Sequence, residues 1–212
     1  MSFFKKLFGS NEKQIAPQQS GPATFESGKS RIFPRIRSTT PQPSPPGQIV
    51  VRVNNPDMQP LSKPLFGDLV VQYAVDNGSA FSTLFKKHLP ENTSIDELHA
   101  IACANLERVA DVNVQQTTFG PYGLLAGGNH EAAMFCVPEF WKSFSDNLNH
   151  NLVVALPSKD LVFIASQNDA VNITKIKEMV ADVFSGGGDL ISRNLFLYDR
   201  TSSQWSVYET VS

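Results

Sequence analysis

Cysteine is scarce in this chain. Cys103 and Cys136 are the only two among 212 residues. They form no CxxC pair and no Cys/His spacing of the zinc-binding kind, which excludes the common structural zinc modules. Both stand among apolar neighbours and read as small buried hydrophobes. Long apolar runs are also missing. No stretch of 18 apolar residues occurs, and residues 1–30 hold no run long enough for a signal peptide. The expectation is a cytoplasmic protein in a reducing compartment. No P-loop is present, because Gly186-Gly187-Gly188 lacks the Lys-Ser/Thr that meets phosphate and magnesium. Gly127-Gly128 lacks the GxGxxG context, and there is no Gly-x-Ser-x-Gly elbow to expose a serine nucleophile.

What is present suits one folded domain. Hydrophobic residues make up 41% and charged residues 18%, enough to fill a core, and the length fits a single domain better than two. The net charge of −2 hides an asymmetry. Residues 1–47 hold seven bases (Lys5, Lys6, Lys13, Lys29, Arg31, Arg35, Arg37) against Glu12 and Glu26. The other eleven bases face eighteen acids. A basic arm on an acidic body is expected, and an acidic body argues against a broad nucleic-acid-binding face.

The arm, residues 1–47, divides into three kinds of sequence. Met1–Phe8 has the pattern of a short amphipathic helix. Phe3, Phe4, Leu7 and Phe8 share one side, Lys5 and Lys6 face the other, and Gly9 and Ser10 stop it. Two turns are not stable alone in water, so the segment is either an unremarkable terminus or a piece that folds on a partner groove or an anionic membrane surface. Residues 9–47 carry seven of the fourteen prolines, and Pro41–Pro46 suits an extended spacer. Residues 10–30 and 38–47 are expected to be irregular. Between them, Arg31–Arg37 alternates apolar and basic residues, as a strand edge or a docking peptide does.

Residues 48–212 predict an α+β fold, a mainly antiparallel sheet built from successive hairpins with three interleaved helices and one covered face. Gln48–Val53 and Leu69–Val75 read as strands. Asp76-Asn77-Gly78 then predicts a type I′ hairpin turn, with Ala80–Leu84 returning. Ser94 and Glu97 form a capping box for a helix with the apolar stripe Ile95, Leu98, Ala102, Leu106 and Val109. Val112–Thr118 reads as strand. Tyr122–Ala126 and Ala132–Val137 read as a second hairpin about Gly127–His130. Pro138 opens a helix with Phe140, Trp141, Phe144 and Leu148 on its apolar face. Leu152–Leu156 and Leu161–Ser166 are strands joined by the turn Pro157–Asp160, with proline presetting its φ. Ile173, Ile176, Val180, Val183 and Phe184 make the last helical stripe, stopped by the glycine run. Leu195–Tyr198 and Trp205–Tyr208 close with a hairpin, Trp205 and Tyr208 on opposite faces. One core is expected to hold Leu98, Leu106, Phe144, Val154, Phe163 and Val180.

Four segments in this order, Asp68–Leu84, Glu97–Glu107, Gly127–Phe135 and Val153–Ala165, resemble the YtpQ-like bacterial family of unknown function. The resemblance covers roughly residues 48–208 and leaves the arm outside. It implies a bacterial cytosolic domain and brings no established catalytic residues. It draws notice to the Asn-His-Glu turn and the Pro-Ser-Lys-Asp turn.

Candidate chemistry is sparse. His130 and Glu131 could perform acid–base work or hold a metal, although strand neighbours point to opposite faces. Asp160 could join them, whereas Ser158, Lys159 and Asp160 as a set suit a surface turn. His99 and Cys103 lie one helical turn apart, which suits two metal ligands, but no second ligand pair accompanies them and the edge of a packed helix explains them. No cofactor or metal site is predicted. The leading expectation is a binding or adaptor domain with a protein partner, recruited through Phe3, Phe4, Lys5, Lys6, Leu7 and Phe8. The alternatives are a hydrolase-like enzyme using His130, Glu131 and Asp160, and a peripheral membrane protein.

Overall fold

The continuous apolar run Leu152–Ser158 has almost no polar face, and such a strand needs cover on both sides. In the computed structural model, which describes residues 25–41 and 55–212, it has that cover. This strand, β7, lies inside a six-stranded antiparallel sheet. The other strands are β5 (Asn113–Gln116), β6 (Tyr122–Leu125), β8 (Leu161–Ser166), β9 (Asn194–Asp199) and β10 (Gln204–Thr210), in the order β10-β9-β7-β8-β6-β5, so that β7 pairs with β8 and β9. Val153 and Ala155 point to one face, where they meet Ile173, Ile176, Val180 and Phe184 of the helix Ala170–Gly186. Leu152, Val154 and Leu156 point to the other, into the main core. The fold is therefore α+β, as expected, but both faces of this sheet are covered and there are two cores. Phe163 and Val180 belong to the smaller, Leu98, Leu106 and Val154 to the larger, and Phe144 is only half-buried against it.

The second sheet centres on β3 (Leu69–Asp76). β1 (Ile32–Ser38) pairs along its whole length, from Ile32 opposite Val75 to Ser38 opposite Leu69. β2 (Ser62–Pro64) and β4 (Phe81–Thr83) lie end to end on its other side. All pairings are antiparallel. The three long helices are α1 (Ile95–Val109), α2 (Pro138–Leu148) and α3 (Ala170–Gly186). α1 starts where the sequence indicates. Ser94 Oγ accepts from the Glu97 amide at 3.1 Å, and Glu97 Oε2 accepts from the Ser94 amide at 2.8 Å. Its stripe is buried at Leu98, Ala102 and Leu106, whereas Val109, its last residue, is exposed. Between the sheets, Phe66, Phe135, Trp141, Phe196, Tyr198 and Trp205 form one aromatic cluster. Trp141 Nε1 donates to the Met134 carbonyl at 2.8 Å, so its polar edge is satisfied inside the core.

Four expectations need correction. The folded body begins well before residue 48. Phe25–Gly28 is a helical turn running into a 3₁₀ turn at Lys29–Arg31, and β1 follows. Phe25, Ile32, Phe33 and Ile36 are core residues, so hydrophobic burial takes this part of the arm into the fold. The basic residues there are structural too. Arg31 donates to the Asp76 carbonyl, Arg35 to that of Asn129, and Arg37 to that of Ile36. Second, Ala132–Val137 is not a strand. Ala132–Cys136 is a 3₁₀ helix buried on every residue, and β6 pairs with β5 and β8 instead. An apolar run buried on all sides has no periodicity to tell strand from helix. Third, Asn77 is not central in its turn. Asn77 and Ala80 flank Gly78 and Ser79, with Asn77 N donating to Ala80 O and only Gly78 taking positive φ, +84°. Fourth, Pro157 lies within β7. Ser158 pairs with Leu161, so the hairpin tip is Lys159-Asp160. The amphipathic segment Met1–Phe8, the rest of the spacer and the strand expected at Gln48–Val53 lie outside the described residues.

Candidate functional site

The two turns singled out by sequence meet. The β7–β8 tip packs against the loop leading into the 3₁₀ helix, where the Ala132 amide donates to the Lys159 carbonyl at 3.3 Å. β1 supplies the third side. Arg35 Nη1 donates to the Asn129 carbonyl at 2.6 Å, and its guanidinium lies 4.3 Å from the centre of the Phe81 ring. Arg35, Arg37, Asn129, Ala132, Ala133 and Lys159 line a narrow cleft there. Burial lowers the Arg35 pKa, with Arg37 acting the same way, and Asp160, Asp189 and Glu131 oppose the shift.

His130, Glu131 and Asp160 thus surround one arginine, but each has a structural occupation. Glu131 is buried, and its Oε1 accepts from the amides of Ala126 at 2.8 Å and Gly128 at 2.7 Å. It ties the loop as a capping carboxylate ties a helix start. Asp160 pairs with Lys159. The His130 ring packs 4.9 Å from Phe33 and 6.2 Å from Phe81, centre to centre. Burial first, then Arg35, pushes its pKa down, so it is held neutral. His130 Nδ1, Glu131 Oε2 and Asp160 Oδ1 are buried without a hydrogen-bond partner. The opposite-faces argument for His130 and Glu131 does not hold, since neither lies in a strand.

A second constellation lies on the other face of the β1–β3 sheet. Tyr73, inward-facing on β3, places its hydroxyl 3.1 Å from His99 Nδ1 on α1. His99 Nε2 lies 3.5 Å from Cys103 Sγ one turn along the same helix. Cys136, the last residue of the 3₁₀ helix, is near enough to act on Cys103, whose pKa it lowers together with His99 against the effect of burial. Cys136 is buried and Cys103 half-buried, so the first fits its reading as a small core residue and the second does not. The i, i+4 spacing of His99 and Cys103 was the only signal of this cluster in the sequence. Cys136 could not be added to it while its segment was read as a strand. No group of three or more His, Cys, Asp or Glu among the described residues is arranged to hold a metal ion. No helix among them is long and apolar enough to cross a membrane.

No protein-family model matches this chain, and neither does any curated protein or solved structure.

Proposed function

We propose that this chain is a binding domain, delivered to a protein partner by its extreme N-terminal segment. The observation that carries this reading is the fate of Glu131. Its carboxylate, buried beside the cleft, holds the Ala126 and Gly128 amides, which makes it a brace for the loop rather than a free acid or base. The resemblance to the YtpQ-like family, which brings no catalytic residues, accords with it. Since Lys29, Arg31, Arg35 and Arg37 lie in the folded body, the recruiting charge narrows to Lys5, Lys6 and Lys13, alongside Phe3, Phe4, Leu7 and Phe8. Burying a large apolar side chain yields roughly 1.5–3 kcal/mol. Ordering each residue costs about 1–2 kcal/mol. Binding through six residues is therefore reversible, and the lysines make it salt-sensitive.

The test compares the full chain with a Phe4→Ser/Phe8→Ser variant, a Lys5→Glu/Lys6→Glu variant and a chain lacking residues 1–24. All three should keep the parent melting temperature and lose partner recovery. Co-sedimentation with phosphatidylserine vesicles, tested in parallel, separates a protein partner from a membrane surface. Unchanged association with lowered stability would place the segment in the core and end the recruitment reading.

A second reading, a hydrolase-like enzyme, has one observation in its favour. His130 Nδ1, Glu131 Oε2 and Asp160 Oδ1 are buried without partners around Arg35, as hydrogen-bonding groups awaiting a ligand would be. Turnover of simple aryl esters or aryl phosphates that disappears in His130→Gln, in a protein of unchanged fold, would favour it. No turnover in the parent would count against it.

A further inference from the structure

One edge of the six-stranded sheet stands open. β10 pairs only with β9, and among the described residues nothing bonds its backbone from the other side. Most of Gln204–Thr210 is exposed, Val207 at 45% and Tyr208 at 38% included. Sheets usually blunt such an edge with lysine, proline or a bulge. β10 has neither lysine nor proline, and its one break is the bulge between Val207 and Glu209. Ahead of the bulge, Gln204–Val207 is regular and uncharged.

The hydrogen-bond pattern fixes which backbone groups this edge offers. In an antiparallel ladder, opposite residues alternate between pairs that exchange both backbone bonds and pairs that exchange none. Two bonds just beyond the strand ends set the phase. The Val211 amide donates to the Arg193 carbonyl at 3.0 Å, and the Gln167 amide to the Asn151 carbonyl at 2.9 Å. Counting from the first through the β9–β10 register, or from the second through β8 and β7, gives one answer. Leu195 and Leu197 turn their backbone groups to β10, and Phe196 and Tyr198 turn theirs to β7. Val207 and Trp205, opposite the latter two, therefore point their N–H and C=O away from the sheet.

We propose that two copies of this chain join antiparallel through Gln204–Val207, about a two-fold axis at Ser206, into one continuous sheet. The groups on offer are symmetric about Ser206. Trp205 meets the partner's Val207, and Val207 meets the partner's Trp205. Each of these pairs exchanges two backbone bonds, with the two Ser206 residues facing each other between them. The side chains agree with this register. Trp205 and Val207 share the face of the aromatic cluster. The indole stacks on Phe66 with ring centres 4.9 Å apart, and Val207 stands so close over Gly67 that a Cβ there would lie 2.9 Å from its Cγ2. The partner's Trp205 then covers the exposed part of Val207, an aromatic–β-branched pair of the kind that stabilises antiparallel sheets. Charge favours a second copy over an acidic or basic peptide. Gln204–Tyr208 carries no charge, and Glu209, past the bulge, is held by Lys177 of α3 at 2.6 Å. Pairing also puts two N-terminal segments on one assembly, so that the second engagement with a partner becomes intramolecular. The pairing itself does not rest on that binding role.

The test is sedimentation velocity of the full chain over a dilution series reaching about 1 mM, where an association held by a short ladder registers. The parent should pass from monomer to dimer. Val207→Pro removes an outward N–H and no bond within the sheet, so it should keep the parent melting temperature and stay monomeric. Val207→Lys keeps every ladder bond, sets two like charges near the axis and should also stay monomeric. Val171→Lys places the same charge on the exposed start of α3 and should dimerise as the parent does. Hydrogen exchange gives a second measurement. The amides of Trp205 and Val207 should exchange quickly in dilute protein and slowly in concentrated protein. The proposal is overturned if the parent stays monomeric throughout, if either Val207 variant dimerises like the parent, if Val171→Lys abolishes the dimer equally, or if a dimer forms while both amides still exchange quickly.

Discussion

The side-chain amide of Asn105 donates to the backbone carbonyl of Ile32 at 3.0 Å, and the same nitrogen reaches the Lys29 carbonyl at 2.8 Å. A polar residue on the buried face of α1 thereby fastens the first strand to the helix. Arg108 adds a bond to the Ser30 carbonyl at 2.9 Å. Asn105→Ala leaves those carbonyls without their donor, and an unmet buried polar group costs about 1–3 kcal/mol. Urea unfolding should show a loss of that size. A chain lacking residues 1–24 should unfold cooperatively at the parent midpoint. One lacking 1–38 should not, since it removes β1 from the sheet.

Leu106 is fully buried at the centre of the larger core. Leu106→Ala should lower stability by about 2–5 kcal/mol, as large-to-small core substitutions do. The same denaturant titration measures it. A loss under 1 kcal/mol would mean that α1 turns a different face to the sheet.

Asp68 joins the two sheets. Its carboxylate accepts from Ser38 at the end of β1 at 2.7 Å, from Ser192 before β9 at 2.8 and 2.9 Å, and from Asn194 at 2.9 Å. Ser192 is wholly buried, so it has no water to turn to. Hydrogen bonds to a charged group contribute about 1.5–3 kcal/mol. Asp68→Ala should reduce stability by at least that much, and Asp68→Asn, which keeps an acceptor oxygen, by less. Calorimetry of the two variants checks the ranking.

His130 makes stability depend on pH. Burial lowers its pKa in the folded protein below the ordinary 6.5, Arg35 on β1 adds to this, and Asp76 at the end of β3 partly opposes it. The unfolded chain then binds a proton near pH 6.5 that the folded chain refuses until lower pH. Its contribution is complete above about pH 6.5 and is lost as the pH falls toward the folded pKa. The melting temperature should drop between pH 7.5 and 5.5, and His130→Gln should flatten the fall. Some slope should persist, because His88 is lowered in the same direction. A profile identical in parent and variant would show that His130 takes up its proton freely in the fold.

Local chemistry was readable directly. The Ser94–Glu97 capping box, the period of Leu98, Ala102 and Leu106, proline at the start of α2 and the apolar runs of β7 and β8 each fixed an element, because hydrogen bonding and burial there act over a few residues. Ala132–Val137 was misread because an apolar segment enclosed on all sides carries no alternation. The candidate site was half legible. His130, Glu131 and Asp160 could be named, yet only packing shows that Glu131 braces a loop and that Arg35, 94 residues from its acceptor Asn129, stands among them.

By itself, then, the sequence determined the α+β character, the three long helices and most of the strands. Tertiary structure decided that Phe25, Ile32, Phe33 and Ile36 belong to the core, that two sheets share it, and that Tyr73 meets His99 beside Cys103. These outcomes depend on contacts between residues tens of positions apart, whose energy comes from surface removed from water at the meeting point. No local pattern records which distant apolar surface will be the one that covers it.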